Sequence, residues 1–156
     1  MKIEKNKLKN IIISSVFIIL VAVLGSVFVN LGMDWFNTLT RPSEWVSNVV
    51  IPIVWTVIYL AFGVINFLWF KKSTIPTHII VLMIINGILN VLWCLVFFTL
   101  NQLLLGNIVI ILNLIFGIIL LVNIFKQEKV YGYILSIYPI WLSIATTLNL
   151  AVWILN

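Results

Sequence analysis

The sequence predicts an all-α integral membrane protein, a bundle of five transmembrane helices with almost no soluble part. Three observations predict this fold class: 63% of the 156 residues are hydrophobic, only 8% are charged, and the apolar residues fall into five long runs. A soluble domain usually carries charges on about a quarter of its residues. So few charges cannot cover a water-facing surface, and most of the outer surface must therefore contact lipid.

The five apolar runs have the length of membrane-spanning helices. They cover residues 11–29, 49–70, 79–100, 103–125 and 131–155, and none contains Asp, Glu, Lys or Arg. Each is close to the roughly 20 residues that a helix needs to cross the hydrocarbon of a bilayer. The backbone must satisfy its own hydrogen bonds in lipid, so we interpret the runs as helices. Membrane strands would be about ten residues long and would alternate in polarity.

The first run is preceded by lysines and therefore also resembles a secretory signal peptide. It is too long for the apolar region of such a peptide, and no small-x-small cleavage site follows it. We interpret it as a retained helix. Residues 1–156 then form a single membrane domain.

The basic residues predict the orientation of the bundle. With five helices, the N-terminal tail, the second loop and the fourth loop lie on one side and hold every lysine, whereas the other side holds Arg41 alone. Basic residues in short loops stay cytoplasmic, so the N-terminus is predicted to be cytoplasmic and the C-terminus to lie outside. This placement leaves no basic face for a phosphate backbone, so the net charge of +5 does not indicate nucleic-acid binding.

The predicted loop over residues 30–48 is long and rich in aromatic residues. It contains Trp35, Phe36, Trp45 and the pair Arg41-Pro42. Such a loop is either a partly helical interfacial segment or a lid over a pocket, and both descriptions can hold at once.

Three of the predicted helices carry stripes of aromatic and amide side chains at helical spacing. The stripes are Trp55, Tyr59 and Asn66 in the second helix, Asn86, Asn90, Trp93 and Phe97 in the third, and Tyr138, Trp141, Ala145 and Leu148, with Asn149 beside them, in the fifth. Each stripe alone is typical of helix packing, because Asn side chains bond across helices in lipid. Three stripes and a lid-like loop together favour an aromatic pocket for a large, flat hydrophobic ligand. Pro139 is expected to kink the fifth helix.

The charged and metal-binding side chains needed by several other functions are missing from the predicted spans. Proton-coupled pumps and ion-coupled carriers usually need a charged residue there. The sequence has no Ser/His/Asp set and no Gly-rich phosphate loop, and Cys94 and His78 are the only Cys and His. We therefore predict no metal or cofactor. A small transporter without a visible inverted repeat, and a structural subunit without ligand, stay as alternatives.

Four elements of the sequence match a family pattern in order and spacing. They read WFNTLTRPS at 35–43, WTVIY at 55–59, LNVLWCLVFF at 89–98 and YPIWLSIATTLN at 138–149. In these elements the chain resembles the TspO/MBR family, the tryptophan-rich sensory proteins that include the animal translocator protein.

The resemblance implies a five-helix bundle, often dimeric, with a pocket that opens toward the first loop and binds porphyrins such as protoporphyrin IX. Animal members also bind cholesterol and drug ligands, and some bacterial members are described as degrading protoporphyrin IX in light. The residues implied as ligand contacts are Trp55, Asn90, Trp93 and Trp141 in the pocket, Phe36, Tyr59, Ala145 and Leu148 in its walls, and Pro42 in the covering segment. There is no conventional catalytic set. Trp55 and Trp141 are the candidates for photochemical contact with a bound ring.

The chain also departs from the family pattern. Where members often read P-S-W-x-P-P, this chain has PSEWV at 42–46 and a single Pro52, and Phe36 replaces a common Tyr. No basic residue follows Asn149, so the weak cholesterol motif of the animal proteins is not predicted. The richness in Ile, Asn and Lys, without a transit peptide, favours a bacterial cytoplasmic membrane.

Overall fold

The computed structural model describes residues 2–42, 47 and 49–156, with side chains from residue 5. The helices are α1 (Lys2–Thr38), α2 (Val50–Lys72), α3 (Thr77–Cys94, continued by a π-helical turn over Leu95–Thr99), α4 (Leu103–Gln127), α5 (Lys129–Leu135) and α6 (Ile137–Leu155). None of the described residues lies in a strand.

Five segments are long and apolar enough to cross a membrane, which confirms the predicted fold class. They are Lys5–Thr38, Val50–Lys72, Thr77–Thr99, Leu103–Gln127 and Lys129–Leu155. α2 packs on α1, α1 on α3, α3 on α4, and α4 on α6, while α5 returns to α2. The five segments therefore close into a ring of neighbours around one core.

The predicted loop over residues 30–48 is shorter in the structure, because α1 continues through Thr38. α1 has 37 residues and, at about 1.5 Å per residue, exceeds the thickness of the hydrocarbon. It ends ahead of Pro42, which disfavours helical backbone in the residue before it. The loop prediction was therefore wrong for residues 30–38, and Trp45 lies outside the described residues.

The last spanning segment is broken between α5 and α6 at Ser136. The interruption lies one turn before Pro139. Because proline has no N–H, the carbonyl of Leu135 loses the donor that a regular helix would supply four residues later. Ser136 keeps helical backbone angles, so the expected kink stays a prediction, and α6 carries Trp141.

Side-chain contacts show which loops share an end of the bundle. At one end, the Lys7 ammonium donates to the carbonyl oxygen of Lys71 at 3.2 Å, and Lys72 and Glu128 form a 2.6 Å ion pair. At the other end, the backbone N–H of Thr40 donates to the Asn156 Oδ1 at 3.0 Å, and the Asn156 Nδ2 donates back to the Thr40 carbonyl at 3.1 Å. The lysines thus gather at one end. The side of the membrane that this end faces stays a prediction.

α1 comes unusually close to the π-helical turn after α3. A Cβ atom at Gly32 would lie 2.0 Å from the backbone oxygen of Phe98, so only glycine allows this approach. Beside it, the Thr99 hydroxyl donates to the Phe28 carbonyl at 2.8 Å. The turn ends at Asn101, whose φ of 57° is left-handed and stops the helix. This contact positions α1 against the core.

We expect Gly32→Ala to lower the free energy of unfolding by about 1–3 kcal/mol or more, because the new methyl group overlaps the Phe98 backbone. Thermal unfolding of the purified protein in one detergent measures the change. Gly63→Ala is the matched control, since an added Cβ there has no neighbour within 4 Å. Equal melting temperatures for the two variants would contradict the close approach of α1.

Candidate functional site

A large cavity lies between the helices and extends from the end where Thr40 meets Asn156 toward the lysine-rich end. Its volume is about 1650 Å³, and α1, α2, α3, α6 and the first loop contribute to its lining. The cavity brings together all nine residues predicted as ligand contacts: Phe36, Pro42, Trp55, Tyr59, Asn90, Trp93, Trp141, Ala145 and Leu148. Side chains far apart in sequence therefore share one site. Their role as ligand contacts stays a prediction.

One wall of the cavity is a continuous set of aromatic rings from α2 and α3. The Trp55 ring stacks on Tyr59, with centroids 5.9 Å apart and planes at 28°, and lies 6.0 Å from Trp93. Trp93 meets Phe98 edge-on at 5.8 Å, and Phe98 lies 5.1 Å from Phe36. These contacts hold the rings in place as one continuous apolar wall, in which some neighbouring planes are tilted by 55° and 74°.

The facing wall comes from one side of α6. Trp141, Ala145, Leu148 and Asn149 all line the cavity, and their spacing of four, three and one residues puts them on one helical face. Trp141 and Ala145 are buried. The small side chain of Ala145 leaves space between the indole and Leu148.

α1 forms a further wall that the sequence reasoning missed. Its lining residues include Ala22, Ser26, Asn30, Met33 and Asn37. They recur every three or four residues and include polar side chains within or beside an apolar run, and this pattern could have revealed the face. Because the run is so hydrophobic, its sequence indicated only a membrane-spanning helix.

The cavity is open between α1 and α2 rather than sealed. Its lining includes Ile19, Leu60 and Val64, which are all exposed on these two helices. In a membrane, lipid chains would meet this opening. A ligand of the cavity therefore has a path from the bilayer as well as from the loop end.

The described part of the first loop borders the cavity at its outer end. Leu39, Arg41 and Pro42 are among the lining residues. The Arg41 guanidinium lies 5.0 Å from the centre of the Phe36 ring, a cation–π contact. Pro42 thus lines the cavity, and its predicted covering role stays a prediction. Residues 43–46 and 48, which complete the predicted loop, lie outside the described residues.

The polar groups of the cavity are few and neutral apart from Arg41. The Asn90 Nδ2 donates to the Tyr59 hydroxyl at 3.2 Å. This bond uses an acceptor position of the hydroxyl, so the Tyr59 proton is available to a ligand. Trp93, Trp141 and Asn149 each carry a buried side-chain N–H with no partner among the described residues.

Four residues of the predicted stripes do not line this cavity. Phe97 is fully buried and contacts Trp35, Phe36 and Trp93. The other three, Asn66, Asn86 and Tyr138, line a small neighbouring cavity instead. On α2 the large cavity extends to Phe67 and Leu68, so it is the helix face and not the depth that leaves Asn66 outside it.

Tyr138 instead joins three helices in a buried polar network. Its hydroxyl lies 3.2 Å from the side-chain oxygen of Asn86 on α3 and 3.1 Å from that of Asn113 on α4. A hydroxyl donates only one hydrogen, and Asn86 already directs its Nδ2 to the Leu82 carbonyl at 2.8 Å. Asn113 satisfies the network when its amide presents Nδ2 to the hydroxyl, because amide oxygen and nitrogen can exchange places.

Among the described residues, no three His, Cys, Asp or Glu side chains come together as a metal site. His78 is exposed at the second residue of α3. Cys94 is buried and lines the large cavity.

We expect Tyr138→Phe to destabilise the protein by about 1–3 kcal/mol, because the side chains of Asn86 and Asn113 lose a buried hydrogen-bond partner. The measurement is thermal unfolding in detergent. Tyr133→Phe is the control, since Tyr133 is 72% exposed and should tolerate the loss of its hydroxyl. If both variants melt like the parent protein, the network does not stabilise the bundle.

Comparison with known proteins gives one family. The sequence model of the TspO/MBR family matches residues 14–154. The chain is similar to the tryptophan-rich protein TspO of Chlorobaculum tepidum, with 30% identity over 138 residues that cover 85% of this chain and 86% of that protein. It is also similar to the protein CrtK of Rhodobacter capsulatus, with 26% identity over 126 residues and 78% of each chain covered.

Proposed function

Because the chain belongs to the TspO/MBR family, we propose that it binds porphyrins, protoporphyrin IX or a related tetrapyrrole, in its intramembrane aromatic cavity. The proposal rests on one observation. Three indoles and one amide line a single cavity, namely those of Trp55, Trp93, Trp141 and Asn90. The protein would act as a membrane receptor for the ring, with a regulatory role.

The size and surface of the cavity support a flat aromatic ligand. At about 1650 Å³ it exceeds the roughly 300–1,000 Å³ of most small-molecule sites, so a tetrapyrrole has sufficient room. The Trp55 and Trp93 rings offer π-faces, and offset stacking on such rings contributes about 0.5–1.5 kcal/mol per pair beyond the apolar area buried. The aromatic wall would therefore select for flat rings over flexible apolar chains.

The polar groups of the cavity support one orientation of the ring. Asn30, Asn37, Arg41 and Ser47 lie toward the first loop, whereas Ile18, Phe67 and Leu68 lie toward the other end. Propionate groups on a porphyrin are anionic and favour water and hydrogen-bond donors over hydrocarbon. They would face the loop end, and the apolar edge of the ring would lie deeper in the membrane.

The proposal includes a homodimer in a bacterial cytoplasmic membrane, in line with the family resemblance and the composition. The proposed binding does not itself involve a chemical reaction of the porphyrin. Trp55 and Trp141 stay the candidates for contact with the ring in any light-dependent degradation, because indole is the most readily oxidised side chain in the cavity.

We expect the double variant Trp55→Phe plus Trp141→Phe to bind protoporphyrin IX roughly five- to tenfold more weakly, because each phenyl ring offers a smaller contact area than the indole it replaces. Titration of the purified protein, followed by the porphyrin absorbance band and by quenching of the remaining Trp fluorescence, measures the affinity. The matched control is Trp69→Phe plus Trp153→Phe, which removes two indoles that do not line the cavity.

Equal affinity for the two double variants would sink the assignment of the site. Two further results would favour the alternatives. Substrate flux into proteoliposomes would indicate a transporter. No rise in melting temperature on addition of the porphyrin would indicate a structural subunit without this ligand, since a ligand that binds the native state must stabilise it.

A further inference from the structure

Toward the lysine-rich end, the large cavity continues as a groove between α1 and α2 that is open to the membrane. We call this part the α1–α2 groove and define it by six lining residues: Ser15, Ile18, Ile19, Val64, Phe67 and Leu68. All except Ile18 are exposed. A molecule in the groove therefore contacts the protein on one side and the bilayer on the other.

The lining of the α1–α2 groove is almost entirely hydrocarbon. Ser15 is its one polar residue, and four of the other five side chains are aliphatic. An empty groove would leave these side chains without neighbouring atoms on one side and would forfeit their dispersion contacts. Acyl chains are the apolar groups that a bilayer supplies at every point of such a surface. The groove therefore suits a lipid chain.

Two lysines lie at the end of the α1–α2 groove. On α2, Lys71 follows Val64 and Phe67 by seven and four residues and so shares their helical face. On α1, Lys7 precedes Ile18 by 11 residues, which is about three turns and returns to the same face. The Lys7 ammonium donates to the Lys71 carbonyl oxygen at 3.2 Å, so the two helices meet at this point.

The positive charge of these two lysines is not balanced by the side chains that the structure describes. Neither lysine forms an ion pair there, whereas the neighbouring Lys72 is paired with Glu128. The Lys7 ammonium has three N–H donors and spends one of them on the Lys71 carbonyl. Lys71 is exposed. An anionic group at the end of the groove would therefore be attracted by two cations.

The distance from the lysines to the groove matches the depth of one lipid leaflet. At about 1.5 Å per residue, Ile19 lies about 18 Å along α1 from Lys7, and Val64 lies about 10 Å along α2 from Lys71. Half of the hydrocarbon core of a bilayer is about 15 Å thick. A lipid whose headgroup lies at the lysines therefore has chains that reach the groove.

We propose that the α1–α2 groove binds one anionic phospholipid, with an acyl chain along its apolar lining and the phosphate group at Lys7 and Lys71. Basic residues beside a membrane span attract anionic headgroups, and a zwitterionic headgroup brings a cation of its own toward the two ammonium groups. The site therefore prefers phosphatidylglycerol to phosphatidylcholine. The inference goes beyond the proposed function, because the lipid binds without a porphyrin.

Native mass spectrometry of the purified protein in detergent, titrated with phosphatidylglycerol, measures the affinity for the first bound lipid. We expect Lys7→Gln plus Lys71→Gln to weaken it at least about tenfold. The matched control is Lys126→Gln plus Lys129→Gln, which removes the same charge from lysines that follow α4 and do not line the cavity. The control should lose less than about threefold. Equal losses in the two double variants would overturn the headgroup site, as would equal binding of phosphatidylcholine with the same chains.

The variant Gly63→Phe tests the position of the acyl chain. Gly63 lines the cavity one turn before Phe67, and a Cβ atom there has no neighbour within 4 Å, so the added ring fills space that the chain would take. We expect at least about threefold weaker binding of phosphatidylglycerol. Val57→Phe is the matched control, because Val57 is exposed on α2 and does not line the cavity.

Unchanged affinity in Gly63→Phe would overturn the groove as the chain site. Glycerol 3-phosphate has the phosphate group without chains, so a rise in melting temperature equal to that given by the lipid would overturn a lipid as the occupant. No porphyrin is present in these measurements, so a failed porphyrin titration leaves their results unaffected.

Discussion

The hydroxyl of Tyr138 joins α3, α4 and α6 at a depth where lipid offers no substitute hydrogen bond. It reaches Asn86 and Asn113 at 3.2 and 3.1 Å, and all three residues are buried. Helices in a bilayer gain little from the hydrophobic effect when they associate, so bonds of this kind and close packing must hold them. The cavity depends on this unit, because Tyr138 precedes Trp141 by one turn of α6, and Asn86 precedes Asn90 by one turn of α3.

α1 and α2 complete the site around this three-helix unit. α1 is held by the approach of Gly32 to the Phe98 backbone, which leaves its polar face toward the cavity. α2 supplies Trp55 and Tyr59, and its ring stack with Trp93 links it to α3. The large cavity therefore lies against all three parts, since α1, α2, α3 and α6 each contribute to its lining.

Asparagine has two different roles in this membrane protein. Asn86 and Asn113 bond within the core, whereas Asn90 lines the large cavity and donates to the Tyr59 hydroxyl. The same side chain serves both roles because an amide donates and accepts without carrying charge, so its burial in lipid costs far less than that of a carboxylate or an ammonium. Neutral amides thus place hydrogen-bonding groups at this depth without a buried charge.

The sequence by itself determined the five spans, the gathering of lysines at one end and the three stripes of aromatic and amide side chains, while the family resemblance implied the nine residues that border the cavity. Hydrophobic length, charge placement and helical spacing are local properties of the chain, so they can be recognised without coordinates. Only the tertiary structure decided that α1 extends to Thr38, that its polar face lines the cavity, and that Asn66, Asn86 and Tyr138 lie outside it. These features depend on how close two helices come and which face each helix turns toward the cavity, and both arise from contacts between residues far apart in the sequence, such as Gly32 with Phe98.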